Sequence, residues 1–335
     1  MKIFARKLFL FYIAVVLSAA PMALHAAEKK SYKPVASSSK SKAVNKYKKV
    51  KFKSSASRVH HRINTHKAMA VDAYDGSTPL KLASLKALVI NQLTGETVYA
   101  KNTDLPTPIA SVTKLMTAMV MLDAGLPMDD LLYITDEDVD YLKGTRSRLG
   151  VGTTLTRGEL LQLALMASEN RAASALGRNY PGGITAFVTA MNHKAQLLGM
   201  KSTHFVDSSG LNSNNVSTAE DLVKMVSAAY HYPEIRQVST TASQEITLYG
   251  RQNPINFVNT NALVRGGNWV IGLSKTGFIN EAGRCLVMQA EISGQPMIIV
   301  LLDSVGKMTR VGDANRIRKW IEHNDIASLG EHVSG

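Results

Sequence analysis

Two apolar hairpin patterns at opposite ends of the sequence most constrain what this chain can fold into. The first spans 87–100 around Thr94-Gly95, and the second spans 285–302 around Ser293-Gly294 and is richer in β-branched residues. Between them the apolar pattern becomes helical. We therefore expect an α/β fold, more narrowly α+β with two lobes, in which an antiparallel sheet built from both termini carries an inserted helical lobe. The second hairpin should be central in the sheet, and a cleft between such lobes is a natural ligand site.

Four segments carry helix signals. Apolar residues recur at i, i+3 and i+4 over 112–120, and Gly125 is a stop signal. Most residues there are apolar, so this helix should be buried on nearly all sides. The segment 156–159 matches a capping box that opens a second helix. Further helices are predicted over 219–230 and 313–323.

The N-terminus has the pattern of a secretory signal peptide. Basic residues precede an apolar run, 8–20, that is short for a membrane span, and small residues follow it. We expect 1–26 to be removed after Ala26 and the protein to be exported to the periplasm, with a retained anchor as the alternative.

Cys285 is the one cysteine in the sequence, so no intramolecular disulfide can form, and it is expected to be a core thiol.

The positive charge of the chain is concentrated near its N-terminus. Residues 1–70 hold 16 of the 39 Lys and Arg but one of the 26 acids, which leaves 23 basic and 25 acidic residues beyond position 70. The segment 27–75 is predicted to be a disordered basic tail. It is either a contact for wall or membrane polyanions or a solvated linker. Nucleic acid is not an expected partner, because aromatic residues in the tail are too sparse to stack bases.

Three short motifs together supply the parts of a serine acyl-transfer site. They are Ser111-x-x-Lys114, Ser168-x-Asn170 and Lys275-Thr276-Gly277, in that order. Serine needs a neighbouring base to become a nucleophile, and residues three apart on a helix share a face. Burial lowers a lysine pKa and makes the neutral amine available as that base. Each motif alone is weak, since Ser304 with Lys307 and Ser213 with Asn215 have the same spacings, but their joint order indicates an enzyme.

This motif set resembles that of the low-molecular-mass penicillin-binding proteins, the serine D-Ala-D-Ala peptidases. The resemblance covers roughly 80–325 and extends to 205–211 and 282–286, and the run 275–287 looks most like the endopeptidase (penicillin-binding protein 7-like) branch. It implies a DD-peptidase catalytic domain over 76–325, followed by a C-terminal tail, 326–335. It also implies that the enzyme cleaves peptidoglycan stem peptides at their cross-links as an endopeptidase, with carboxypeptidase activity as an open alternative. β-Lactams would be inhibitors.

The resemblance assigns three catalytic roles. Ser111 would be acylated by the D-Ala carbonyl carbon, and Lys114 would take the hydroxyl proton of Ser111. Ser168 would help to return a proton to the leaving amine. No cofactor or metal is expected, because the nine histidines lack ligand spacing.

It also assigns five residues to substrate binding. Asn170 would bind the peptide amide of the substrate, and Lys275 and Thr276 would hold the carboxylate or backbone beyond the scissile bond. Gly277 would let the strand approach the substrate. The backbone N–H of Phe278, with that of the nucleophile, would form the oxyanion hole. Arg310 is a weaker candidate for contact with a substrate carboxylate.

Two alternatives stay open at this point. A β-lactamase or esterase on the same fold would share the motifs, but class A β-lactamases use a Glu shortly after Ser-x-Asn, and no Glu lies between Asn170 and Ser217. A long-lived penicilloyl ester is therefore the expected behaviour. The other alternative is a non-catalytic wall-binding scaffold anchored by the basic tail.

The chain lacks room for the C-terminal anchor domain of many relatives, so we expect it to be soluble after processing.

Overall fold

The computed structural model describes residues 79–248 and 253–333, with side chains to 324. The predicted signal peptide and basic tail lie outside the described residues. The described strands are, in chain order, β1 (Lys86–Asn91), β2 (Thr97–Lys101), β3 (Thr107–Pro108), β4 (Leu131–Tyr133), β5 (Thr154–Thr156), β6 (Val216–Ser217), β7 (Ser243–Ile246), β8 (Ile255–Val258), β9 (Val270–Ile279), β10 (Gly283–Ile292) and β11 (Gln295–Ser304).

The first described helix follows the first hairpin, and the last one ends at Val333. The described helices are α1 (Lys114–Asp123), α2 (Arg157–Met166), α3 (Asn170–Arg178), α4 (Gly183–Leu197), α5 (Ala219–Ala229), α6 (Pro233–Thr240), α7 (Ala262–Gly266) and α8 (Thr309–Val333).

The helices predicted from periodicity are present, with two differences at their ends. The predicted capping box is formed, because the Thr156 hydroxyl accepts from the Glu159 N–H and the Glu159 carboxylate accepts from the Thr156 N–H. The chain enters α1 through a one-turn 3₁₀ helix, Ala110–Thr113, so the predicted α-helix starts later than 112. Helix α8 extends beyond 313–323 at both ends and enters the segment interpreted as a tail, where no proline stops it.

Both predicted hairpins are confirmed, and they form one antiparallel sheet of order β2-β1-β11-β10-β9. Strand β1 pairs with β11, with Lys86 opposite Leu302, so the two ends of the described chain meet in the sheet. Strand β11 is central, as expected from its β-branched residues. The edge strand β9 carries the Lys-Thr-Gly motif.

Each face of the sheet has its own apolar cover, because successive residues of a strand point to opposite faces. Leu286 and Met288 of β10 pack in a cluster with Ile317 of α8. Val287, which lies between them, packs in the larger cluster of the helical lobe. Burial of both faces explains why β10 and β11 read as nearly continuous apolar runs.

Helix α1 lies at the centre of the helical lobe, where it contacts α2, α3, α4, α5 and α6. All its residues from Lys114 to Met121 are buried, which matches the prediction of a helix covered on nearly all sides. Within 79–248 and 253–333, no helix is both long and apolar enough to cross a bilayer.

Candidate active site

Ser111 lies in the 3₁₀ turn that leads into α1. The preceding residue, Ala110, has a φ of +47°, a left-handed conformation that non-glycine residues keep only where the surroundings enforce it. The enforcing contact is the backbone at Gly210, where an added Cβ would lie 1.9 Å from the Ala110 carbonyl oxygen. This packing fixes the half-buried Ser111 at the N-terminal end of α1.

Lys114 is a buried lysine with three oxygen partners. Its Nζ lies 2.8 Å from Ser111 Oγ, 2.8 Å from Asn170 Oδ1 and 2.6 Å from the Ser209 carbonyl oxygen. Burial lowers the pKa of Lys114 to about 7, although the carboxylates of Asp207 and Glu169 oppose the shift. A substantial fraction of this amine is therefore neutral near pH 7 and able to accept the Ser111 proton.

Ser168 and Lys275 form a second serine–lysine pair. Ser168 lies between α2 and α3 with a φ of +59°, and its Oγ accepts a hydrogen bond from Lys275 Nζ at 2.9 Å. Burial lowers the pKa of Lys275 well below its usual value, and the charges of Lys114 and Arg310 lower it further. An amine held in this way can exchange a proton with the Ser168 hydroxyl or bind an incoming anion.

Asn170 begins α3 and links the motifs. Its Oδ1 accepts from Lys114, and its Nδ2 donates to Thr145 Oγ1 at 3.1 Å. The Thr145 hydroxyl in turn donates to Asp140 at 2.6 Å. This chain of hydrogen bonds fixes the orientation of the Asn170 amide and leaves its second N–H for another acceptor.

Strand β9 runs close to the nucleophile turn at Gly277. A Cβ there would lie 2.9 Å from the Ile109 carbonyl oxygen and 3.1 Å from the Ser111 amide nitrogen. Any side chain at this position would therefore separate the strand from Ser111. Strand β9 is at the edge of the described sheet, and on its outer side the Ser274 N–H and the Thr276 carbonyl already bond Ser239 and Lys275. An extended peptide can pair with the rest of this outer side beside the nucleophile.

The remaining predicted binding residues flank Gly277 on β9. The Thr276 side chain is buried, and its hydroxyl donates to Thr260 Oγ1 at 2.7 Å. Phe278 is half exposed, with the Arg284 guanidinium 4.3 Å from its ring centroid. The structure thus brings all eight predicted site residues into one region, at the junction of α1, the α2–α3 connection and β9.

Several residues outside the three motifs complete the site and were not predicted. The carbonyl of Ser209 and the hydroxyls of Thr145 and Thr260 contact motif residues, although none belongs to a motif. A hydrogen bond to a main-chain carbonyl leaves no residue-type signal. The pattern Asp207 to Gly210 does have such a signal, since Asp and Gly at this spacing favour a turn capped by the carboxylate.

Arg310, the weaker candidate, lies at the start of α8, and its charge lowers the pKa of Lys275. Among the described residues, its Nη1 is a buried nitrogen with no hydrogen-bond partner. Burial and the nearby charge of Arg284 lower the pKa of Arg310 itself. A substrate carboxylate would satisfy the charge and the nitrogen together.

Cys285 is buried in β10 beside the site, and burial raises the pKa of its thiol to about 11. This agrees with a core thiol rather than a nucleophile. Within the described ranges, no three His, Cys, Asp or Glu side chains are grouped as metal ligands would be.

Comparison with solved structures shows the same fold. A DD-transpeptidase from Streptomyces matches with a TM-score of 0.67 and 31% identity, over 72% of this chain and 98% of that one. A D-alanyl-D-alanine carboxypeptidase from Mycobacterium tuberculosis matches with a TM-score of 0.65 and 26% identity, over 73% of this chain and 94% of that one.

Comparison of sequences identifies the family. D-alanyl-D-alanine endopeptidases from Pseudomonas aeruginosa and Escherichia coli are 48% and 47% identical to this chain. The matches cover 74% and 73% of this chain and 80% and 79% of those proteins. The family model described as D-alanyl-D-alanine carboxypeptidase matches residues 69–306. The chain therefore belongs to the D-alanyl-D-alanine carboxypeptidase family of serine peptidases, as its three motifs indicate.

Proposed function

We propose that Ser111 is the nucleophile of a serine D-Ala-D-Ala endopeptidase that cleaves peptidoglycan stem-peptide cross-links. The observation that carries this proposal is the 2.8 Å hydrogen bond between Ser111 Oγ and the buried amine of Lys114. A lysine with a pKa near 7 is a base matched to neutral pH. The two bacterial relatives that carry the endopeptidase name support the choice of substrate.

In acylation, the neutral Lys114 amine takes the Ser111 hydroxyl proton as Oγ bonds to the D-Ala carbonyl carbon. The carbon–nitrogen bond then breaks, and the departing amine takes a proton from the Ser168 hydroxyl, which Lys275 replenishes across 2.9 Å. Water later attacks the ester and passes one proton through Ser168 to the neutral Lys275 amine. Ser111 Oγ then leaves the carbonyl carbon with the proton held by Lys114, so the acid is released and both lysines and Ser111 return to their starting states. The N–H groups of Ser111 and Phe278 would stabilise the oxyanion, and such a donor contributes roughly 3–4 kcal/mol.

The stem peptide would bind as an added strand along the outer side of β9. Asn170 would donate its remaining N–H to the peptide, since its carbonyl is already bonded to Lys114. Lys275 and Thr276 would hold the group beyond the scissile bond, and Arg310 would bind a carboxylate there. An anion at this place would also favour the charged form of Lys275.

Penicillin would acylate Ser111 and leave slowly. The one acidic residue between Asn170 and Ser217 is Asp207, and its carboxylate already accepts four hydrogen bonds. Glu169 is also engaged, because it accepts from Ser147 Oγ at 2.6 Å. Neither carboxylate is free to activate a hydrolytic water, so the penicilloyl ester should persist.

The proposed site of action is the periplasm, where the signal pattern would deliver the protein. The basic segment 29–67 would then increase its affinity for the anionic cell wall. Deleting this segment should leave turnover of soluble muropeptides unchanged and weaken sedimentation with sacculi, most strongly at low salt. If the amount of protein that sediments with sacculi changes neither with the deletion nor with salt, the tail does not have this role.

The function is tested by incubating the purified protein and Ser111→Ala with cross-linked muropeptide dimers and following the products by mass spectrometry. The wild type should convert dimers to monomers with the addition of one water, and the variant should leave them intact. Rapid hydrolysis of a chromogenic cephalosporin without a trapped adduct would instead indicate a β-lactamase. Wall binding without any cleavage by the folded wild type would indicate a scaffold.

A further inference from the structure

A six-residue loop, 207–212, is built around one carboxylate, and we call it the Asp207 loop. The Asp207 carboxylate accepts from the backbone N–H groups of Ser209 at 2.7 Å, Gly210 at 2.6 Å and Asn212 at 2.8 Å. It also accepts from Ser209 Oγ at 3.0 Å. Four donors on one carboxylate fix the path of the loop backbone, including the direction of the Ser209 carbonyl.

The Asp207 loop packs against the first turns of α1 and the turn before it. Thr117 Oγ1 donates to the Ser208 carbonyl at 2.6 Å, and the Gly210 backbone abuts the Ala110 carbonyl. Between these contacts, Lys114 Nζ donates to the Ser209 carbonyl at 2.6 Å. The loop therefore contacts the nucleophile turn, the base and the helix that carries the base.

The Ser209 carbonyl determines where the lone pair of Lys114 points. A lysine ammonium has three N–H donors, and here they meet three acceptors: Ser111 Oγ, Asn170 Oδ1 and the Ser209 carbonyl. When Lys114 is neutral, its two remaining N–H groups stay on the amide and the carbonyl. The lone pair is then left facing the Ser111 hydroxyl, which is the arrangement that proton transfer requires.

We propose that Asp207 is a positioning residue for acylation: by fixing the Ser209 carbonyl against Lys114, it aims the lone pair of the base at Ser111. The proposal rests on the proposed role of Lys114 as base. Among the described residues, Ser111 is not a hydrogen-bond donor to the Asp207 carboxylate, and Asp207 need not touch substrate to act in this way.

Asp207 also contributes its charge. The charged groups that act on Lys114 are the carboxylates of Asp207 and Glu169, which raise its pKa, and the Lys275 amine, whose own pKa Lys114 lowers. Removing the Asp207 charge therefore lowers the pKa of Lys114. Because the neutral amine is the reactive form, the acid limb of the pH profile should move to lower pH.

The experiment measures the rate of acylation by fluorescent penicillin from pH 5 to 9 for the wild-type protein and three variants. Asp207→Asn removes the charge and disrupts the four-donor arrangement. Ser209→Ala keeps the charge and removes one donor. Asp221→Asn is the matched control. Asp221 is a buried carboxylate on α5 that accepts hydrogen bonds from Ser202 N–H and Thr203 Oγ1, and it is not among the groups that shift the pKa of Lys114.

We expect Asp207→Asn to reduce the plateau rate roughly 10-fold or more, because small misplacements of a reacting group are costly. Its acid limb should move down by roughly half to one pH unit. Ser209→Ala should lower the plateau a few-fold, whereas Asp221→Asn should change thermal stability alone.

A plateau equal to that of the wild type in folded Asp207→Asn would overturn the proposal, whether or not the acid limb moves. If that variant does not fold, an unchanged plateau in Ser209→Ala would overturn it instead. Failure of the proposed function is distinguishable, because the wild-type protein would then show no acylation at any pH or would release the label rapidly, as a β-lactamase does.

Discussion

Replacing Gly277 with alanine should slow acylation without unfolding the protein. The new Cβ would lie 2.9 Å from the Ile109 carbonyl oxygen and 3.1 Å from both Ala110 Cβ and the Ser111 amide nitrogen. Since the nearest of these atoms belongs to the backbone, β9 and the nucleophile turn must separate by some tenths of an ångström. The φ of Gly277 lies outside the left-handed region, so the perturbation is purely steric.

The expected magnitude follows from this displacement. Overpacking of this kind costs about 1–3 kcal/mol of stability, which a domain of this size tolerates. A misplacement of about 1 Å at a reacting centre can cost about 100-fold in rate. Because the separation here is smaller, we expect acylation by penicillin to slow by roughly 10- to 100-fold.

The assay is stopped-flow acylation by fluorescent penicillin, with urea unfolding measured on the same protein. Gly266→Ala is the control, because among the described residues no atom lies within 4 Å of the added Cβ and the φ is again outside the left-handed region. It should acylate at the wild-type rate and change stability by less than about 1 kcal/mol. A destabilised Gly277→Ala that acylates as fast as wild type would refute the reasoning that the approach of β9 shapes the site.

The protonation states of Lys114, Ser168 and Cys285 can each be tested. The wild-type acylation rate should level off above pH 8 and fall roughly tenfold per pH unit below pH 6. The reason is that only neutral Lys114, with a pKa of about 7, accepts the Ser111 proton. A rate that stays constant down to pH 5 would contradict this. Ser168→Ala should reduce muropeptide cleavage by roughly 100-fold or more in a folded protein, since general acid–base groups contribute about that much, and undiminished cleavage would remove Ser168 from the proton path. Cys285 should resist iodoacetamide at pH 8 in the native protein and react after unfolding, because burial raises the pKa of its thiol to about 11. Intact mass measures the alkylation. Rapid alkylation of the native protein would contradict the buried placement of Cys285.

The sheet was predictable because its signals are local. The hairpin at Ser293-Gly294 places positive φ values of +51° and +73° at two residue types that tolerate a tight turn, and the flanking runs are apolar.

The helix α3 was not predicted, although it begins at Asn170. Its buried residues are mainly Ala and Gly, whose small side chains bury little apolar area and therefore mark a core face weakly.

The site was predictable as far as side-chain chemistry specifies it. Ser111 and Lys114 are three residues apart, so their contact follows from helix geometry alone. The contacts of Lys114 with Asn170 and Ser209 span 56 and 95 residues, and they exist only once the helical lobe is packed. The carbonyl of Ser209 is also a main-chain group, which every residue type would supply.

The central claim, that Ser111 forms an acyl-enzyme, is tested most directly by intact mass and peptide mapping after reaction with penicillin. We expect one adduct per chain, with the added mass on the peptide that contains Ser111. The adduct should be stable over hours and absent in Ser111→Ala. A folded protein that gains no mass, or an adduct that maps to another residue, would contradict this claim.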